Sequence, residues 1–285
     1  MMLKPHWGKT LDLVRQHRPV IHHIMNQVTM SFGANGVLAL GGRPMMARHP
    51  LEVAEAVNQA DALVLNLGTP APETINAMMI AGHIARKKGI PIVFDPVGVG
   101  LSTFRLEAAR LLLTELSPDA ICGNAAELAF LLQPIWHGKG IDAVQTGLEP
   151  VEIVAHVSRH YGTISVLTGQ TDVVCHAGII AISEHGDEWL TRVTGTGCLA
   201  TSLVALFLAA ARKDQQHGQH HQLDWEAAVA SICTLGIAAE EARQTAKGPG
   251  SFQSGLLDAL YTLDADYLTD RAVVRIAVTE ERSPG

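Results

Sequence analysis

Short apolar runs alternate with longer stretches of helical periodicity along most of the 285 residues, and this alternation constrains the fold more than any single residue does. A chain of βαβ units lays its strands side by side in a mostly parallel sheet and covers both faces with helices. The runs that read as strands are 20–25, 62–67, 90–94, 120–122 and 164–167. Between them, Pro72–Lys88 and 151–161 carry apolar residues at helical spacing, and the first ends in Lys87, Lys88 and Gly89 as helices stop. Residues 173–176 and Ile179–Ser183, joined by Ala177-Gly178, read as an antiparallel hairpin, so the sheet is expected to be mixed at one edge. Two more helices are expected around 225–245 and 255–262. No repeat or linker divides the chain, which predicts one α/β domain over residues 1–285.

Composition narrows what such a domain can serve. With 47% hydrophobic residues but only 5% aromatics, the core must be built from Ala, Leu, Ile and Val, which suits helices packed closely on a buried sheet. The net charge of −7 and the lack of any Lys or Arg run leave no electrostatic footprint for nucleic acid. A phosphate ligand would therefore depend on backbone N–H groups and a metal. Cys122, Cys175, Cys198 and Cys233 form no Cys-x-x-Cys pair, so neither a zinc site nor a disulfide framework is indicated and a reducing cytoplasm is expected. The start of the chain, Met-Met-Leu-Lys-Pro-His-Trp, lacks the basic and apolar regions of a signal peptide. The longest apolar-rich run, 198–211, is shorter than the roughly 20 residues of a membrane span and reads as a core helix, so no membrane partner is expected. The polar, His-rich stretch 214–222 has no regular metal-ligand spacing and reads as a solvated loop.

In open α/β sheets, ligands bind beyond the carboxyl ends of the strands. Polar or Gly-rich residues fall there five times: Asn66-Leu67-Gly68-Thr69, Asp95-Pro96-Val97-Gly98, Gly123-Asn124-Ala125-Ala126-Glu127, Thr168-Gly169-Gln170-Thr171-Asp172 and Thr194-Gly195-Thr196-Gly197-Cys198. The last precedes the long apolar helix. Glycines let backbone approach a ligand, and the first N–H groups of a helix lack internal partners, so this turn is either an anion hole or a tight turn that lets the helix pack. It is neither a Walker loop nor a Rossmann fingerprint, because no Gly-Lys-Ser/Thr follows and a third glycine is missing. Cys198 stands in the first helical turn, where the positive end of the helix dipole is expected to lower a thiol's pKa. Asp95 and Glu127, at two strand ends, suit a hydrated Mg²⁺. Asp95 could equally form the turn before Pro96, and Glu127 could belong to the first turn of a helix capped by Asn124.

Taken together, these segments resemble the hydroxyethylthiazole kinases of the ribokinase-like superfamily over residues 19–260. The matching stretches also include Pro19-Val20-Ile21-His22 through Asn26-Gln27-Val28, Ala34-Asn35 through Leu38-Ala39-Leu40-Gly41, Pro44-Met45-Met46, Val166-Leu167-Thr168-Gly169 and Gly248-Pro249-Gly250-Ser251-Phe252. Asn-x-x-Glu and Gly-Thr-Gly are shared by the wider superfamily, whereas cysteine after Gly-Thr-Gly, where sugar kinases carry aspartate, points to the thiazole enzyme.

The resemblance implies a three-layer α/β/α ribokinase-like fold with a mostly parallel central sheet. It implies Mg²⁺-dependent phosphorylation of 4-methyl-5-(2-hydroxyethyl)thiazole by ATP, a step of thiamin salvage, in a homotrimer whose thiazole sites lie between subunits. By position, Met46, Asn26 and Gly195 would contact the thiazole alcohol, with Gly68 and Thr69 closing the pocket across the subunit boundary. Asp95 and Glu127 would organise Mg²⁺, Cys122, Asn124, Thr168, Gly169 and Gly197 would line the ATP side, and Cys198 would accept the alcohol proton late in the transfer. The chain departs from the family pattern at Cys122, usually an arginine reaching the ATP phosphates, and at Met25, commonly threonine. Arg43 beside Pro44 is also unusual. Two other functions fit the same residues: a ribokinase-like kinase for another small alcohol, and a non-catalytic protein that keeps the thiazole pocket.

Overall fold

The computed structural model describes residues 7–132, 148–214 and 220–278. Its strands are β1 (Val20–Ile24), β2 (Arg43–Met45), β3 (Ala62–Asn66), β4 (Ile92–Asp95), β5 (Ala120–Gly123), β6 (Ile164–Leu167), β7 (Asp172–His176), β8 (Ile179–Ser183) and β9 (Val274–Val278). They form one sheet in the order β2-β1-β3-β4-β5-β6-β7-β8-β9. Pairing is parallel from β2 through β6 and antiparallel from β6 to β9, so the sheet is mixed at one edge as the sequence predicts.

The helices in chain order are α1 (Trp7–His17), α2 (Met30–Ala39), α3 (Val53–Gln59), α4 (Pro72–Lys88), α5 (Thr103–Leu116) and α6 (Ala125–Leu131). They continue with α7 (Pro150–Tyr161), α8 (Thr196–Asp214), α9 (His220–Thr245), α10 (Pro249–Thr262) and α11 (Ala265–Arg271). The two sheet faces carry separate apolar clusters. One gathers residues of α1, α2 and α8 to α11, the other residues of α3 to α7, which gives the three layers α/β/α. Period-two alternation divides the inner strands between them: Ala62 and Val64 of β3 join the first cluster, Leu63 and Leu65 the second.

That same alternation prepares a site. Continuing the α8-facing set past Val64 leads to Asn66, past Val93 to Asp95 and past Ala120 to Cys122. Asn66 pairs in register with Asp95, and Phe94 with Ile121, so these three residues end adjacent strands on the face that α8 covers. Although α8 is long and apolar enough to cross a membrane by composition, residues 198–211 are all buried and pack on β1, β3, β4 and β5. It is the expected core helix. At its far end Arg212 donates to Asp224 at 2.6 Å and to Asp119 at 2.7 Å, tying α8 to α9 and to the start of β5.

The five strand expectations hold to within two residues at each end. Two strands were not expected: β2 is three residues long with Pro44 in its middle, and β9 is largely exposed. Proline cannot donate to a ladder, and both strands sit at sheet edges where it is tolerated and where apolar patterning is weak. Of the stretch 214–222 read as a solvated loop, both ends are helical, since Asp214 ends α8 and His220 begins α9. Residues 215–219, and residues 1–6 of the expected signal-free start, lie outside the described residues.

Candidate active site

A cleft of about 400 Å³ opens at the carboxyl ends of the parallel strands. All five polar segments contribute to it, four of them at strand ends and the fifth at the start of α8: Gly68 and Thr69, Asp95 and Val97, Cys122 to Asn124 with Glu127, Thr168, and Thr194 with Gly195, Gly197 and Cys198. Asn26 and Thr29, beyond β1, complete its floor. Of the residues expected from sequence, Met46 and Gly169 alone do not line it. Met46 follows β2 beside Ala47, whose carbonyl lies 2.6 Å from His22 Nε2, and the Gly169 amide donates to Asp172 Oδ1 at 2.9 Å.

Asn66 organises the floor. Its Nδ2 donates to Asp95 Oδ2 at 2.6 Å and to Cys198 Sγ at 3.2 Å, while its Oδ1 accepts from Gly68 N at 3.0 Å and from Asn26 Nδ2 at 2.9 Å. Both donors and the acceptor of this buried amide are therefore used, which fixes its orientation. Asn26 Nδ2 also reaches Cys198 Sγ at 3.5 Å, and Thr201 Oγ1 donates to Asp95 Oδ2 at 3.1 Å. The result is one bonded set running from Asn26 through Asn66 to Asp95, with Cys198 and Thr201 of α8 above it.

Burial dominates the electrostatics. It pushes Asp95 up to about 7, and the negative charge of Glu127 pushes the same way against the donors Thr201, Asn66 and Cys198. Glu127 forms a capping box with Asn124: its Oε2 accepts from Asn124 N at 3.0 Å, while Asn124 Oδ1 accepts from Glu127 N at 2.9 Å. Its Oε1 accepts from Gly98 N at 2.9 Å. The two alternatives read from sequence are thus not exclusive. Glu127 is a first-turn residue of α6 and also faces the cleft beside a second carboxylate.

The expected low pKa of Cys198 is not found. Burial pushes its thiol up to about 12 and the Asp95 charge adds to this, so at neutral pH the group is a thiol and not a thiolate. A helix terminus lowers a thiol's pKa where water or a cation solvates the anion, and Cys198 has instead a carboxylate beside it. Cys122 is buried as well, pushed up by desolvation and by Asp95. It sits in the floor of the cleft as an uncharged side chain.

The turn before α8 has the form of an anion hole. The first intrahelical bond runs from Leu199 N to Gly195 O at 2.8 Å, which leaves the amides of Thr196, Gly197 and Cys198 without partners inside the helix. Gly195 has φ +95°, and a Cβ there would lie 2.7 Å from Thr29 Cγ2. At Gly197 a Cβ would meet nothing within 4 Å, so that residue borders open space.

The model of the hydroxyethylthiazole kinase family matches residues 11–266. The chain belongs to the hydroxyethylthiazole kinase family. A hydroxyethylthiazole kinase protein from Pyrococcus horikoshii OT3 is 34% identical, with 95% of this chain and 98% of that one covered and a TM-score of 0.82. The fold extends to more distant structures. A ribokinase-like superfamily protein from Enterococcus faecalis V583 is 15% identical over 90% of this chain and 95% of its own, with a TM-score of 0.57. A hypothetical protein from Streptococcus mutans is 12% identical over 92% and 100%, with a TM-score of 0.62. This member of the thiazole kinase family therefore has the ribokinase-like fold.

Sequence reasoning overlooked three polar residues of this site. Thr29 and Thr201 stand inside helical or turn segments with no local pattern to mark them, and only the tertiary structure brings Thr201 to Asp95. Arg105, in the first turn of α5, also lines the cleft. Its position just after the Asp95 segment was the available signal.

Proposed function

We propose that this protein transfers the γ-phosphoryl group of ATP to the primary alcohol of 4-methyl-5-(2-hydroxyethyl)thiazole, a step of thiamin salvage. The observation that carries the proposal is the meeting of the free amides at the start of α8 with the bonded set Asn26, Asn66, Asp95 and Cys198. Phosphoryl transfer through a loose transition state demands alignment and charge neutralisation more than covalent help. Amides already oriented toward the developing charge supply that without reorganisation.

Asp95 and Glu127 suit Mg²⁺. Two carboxylates are close enough for one to raise the other's pKa, and a divalent cation between them would relieve that repulsion. An ion held by a carboxylate pair would complete its shell with water and phosphate. When bound, the ion supplies neutralisation of the phosphate oxygens. Asn26, Gly195 and Met46 are assigned to the alcohol substrate, and Asn124, Thr168, Gly169, Gly197 and Cys122 to the nucleotide side.

As a neutral thiol, Cys198 is assigned to holding the substrate hydroxyl in line, in place of the base expected from sequence. Exposed Val28 and Leu101 on the cleft rim, 70% and 78% accessible, leave apolar surface for a neighbouring subunit to cover, and we assign the assembly to a homotrimer in which that subunit brings Met46 to the site. We assign the enzyme to the cytoplasm, as one domain. Steady-state turnover of the thiazole alcohol with ATP and Mg²⁺ tests the proposal, and alcohol binding without turnover would contradict it.

A further inference from the structure

The cleft presents two carboxylates, Asp95 and Glu127, and among the described lining residues a single cation, Arg105. A polyphosphate brought to this floor adds several negative charges, so the place of that cation matters more here than in a basic site. Arg105 is half-buried and held from one side. Its Nη1 donates to Leu67 O at 2.8 Å and to Val97 O at 2.7 Å, the backbone just beyond β3 and β4. Its Nε and Nη2 have no partner among the described residues.

The Val97–Gly98 peptide ties this arginine to the carboxylate pair. Its carbonyl accepts from Arg105, and its N–H donates to Glu127 Oε1 at 2.9 Å. One peptide unit is thus clamped by a cation at its oxygen and by a carboxylate at its nitrogen. Gly98, at φ +62°, supplies the left-handed backbone of this turn. A guanidinium fixed by one nitrogen and free at two others is prepared to receive oxygen atoms in its plane with little further loss of side-chain freedom.

We propose that Arg105 binds the phosphate oxygens of the donor nucleotide through its Nε and Nη2, and is the fixed positive charge of a cleft whose floor carries an uncharged Cys122. This rests on the kinase function proposed above. The bonds to Leu67 and Val97 make Arg105 a strut as well, so its test must separate charge from support.

The full-length protein is compared with R105Q, which keeps an N–H donor for a carbonyl but loses the charge, and with R105K, which keeps the charge. The measurements are KM for ATP and for the thiazole alcohol at saturating Mg²⁺, and calorimetric binding of inorganic tripolyphosphate. R105Q should raise the ATP KM and the tripolyphosphate Kd by about tenfold or more, the loss of a charge-assisted contact, with the alcohol KM within about twofold of wild type. R105K should lie between the two. Wild-type turnover with ATP KM and tripolyphosphate binding unchanged in R105Q would overturn the proposal while leaving the kinase function standing. So would a parallel rise in both KM values with Gln and Lys equally impaired, since that is the behaviour of a strut. Tripolyphosphate binding that depends on Arg105, without thiazole turnover in wild type, would instead support the phosphate site and refute the function.

Discussion

Asn66 donates one amide hydrogen to Asp95 Oδ2 over 2.6 Å, and the same nitrogen reaches Cys198 Sγ at 3.2 Å. This single side chain sets the spacing between the carboxylate assigned to the metal and the thiol assigned to the alcohol. Asn66→Leu keeps the volume and removes every bond. The variant should lose about 2 kcal/mol or more of stability in urea denaturation, because buried partners are left unpaired. Its kcat/KM should fall by about a hundredfold, the effect of a small misplacement of reacting groups. Full activity in a variant that folds would remove Asn66 from the site.

Cys198 is a thiol at neutral pH, and this alters what its replacement should do. Cys198→Ser and Cys198→Asp both leave a polar atom near the substrate hydroxyl, and both should remain active. Cys198→Ala should lower kcat by only about tenfold, less than the 10²–10⁴ typical of a lost general base. A larger loss with alanine, together with an inactive serine variant, would restore a thiolate base despite the burial.

The two glycines that open α8 should separate folding from chemistry. Gly195→Ala combines a left-handed backbone with a Cβ 2.7 Å from Thr29, and should lose both melting temperature and turnover. Gly197→Ala meets no atom and lies within the helix, so its melting temperature should be unchanged or slightly raised. Its added methyl nevertheless stands beside the free amides and should weaken ATP-dependent turnover. Equal effects of the two substitutions on stability would contradict the assignment of the turn.

His23 on β1 predicts a pH dependence of stability. It is fully buried, its Nδ1 lies 3.0 Å from Ile21 O, and burial lowers its pKa from 6.5 to about 4. A histidine with a depressed folded pKa stabilises the fold fully above pH 6.5, and that contribution is lost as pH falls toward 4. Burial also lowers the pKa of neighbouring His22, whereas Asp95 and Asp172, raised to about 7, act in the opposite sense, so the difference between variants is the useful quantity. Between pH 7 and pH 4, wild type should lose about 3 kcal/mol more than His23→Leu in denaturant titrations. Parallel pH curves would contradict a neutral buried His23.

The layers and the strand ends were legible in the sequence because period-two and helical patterning respond to burial, and here both sheet faces are buried. The strand-end rule locates Asn66, Asp95, Asn124, Glu127 and Thr168, and the glycines before an apolar helix mark Gly195. The rule could not find Thr201, since a threonine on an apolar helix, serving a carboxylate on a distant strand, leaves no local trace. The pKa of Cys198 was misread for a related reason: the helix start is visible in sequence, whereas the carboxylate opposite it comes from a strand over a hundred positions away. Met46 was named through resemblance and lies off the cleft, where a neighbouring subunit would be needed to give it a substrate.

The central claim is tested most directly by incubating the full-length protein with ATP, Mg²⁺ and 4-methyl-5-(2-hydroxyethyl)thiazole, and following the thiazole phosphate by mass spectrometry beside Asp95→Asn. The account predicts catalytic formation of the phosphate by wild type and its loss in the variant. Saturable binding of the alcohol with no phosphate formed, or undiminished formation by Asp95→Asn, would contradict it.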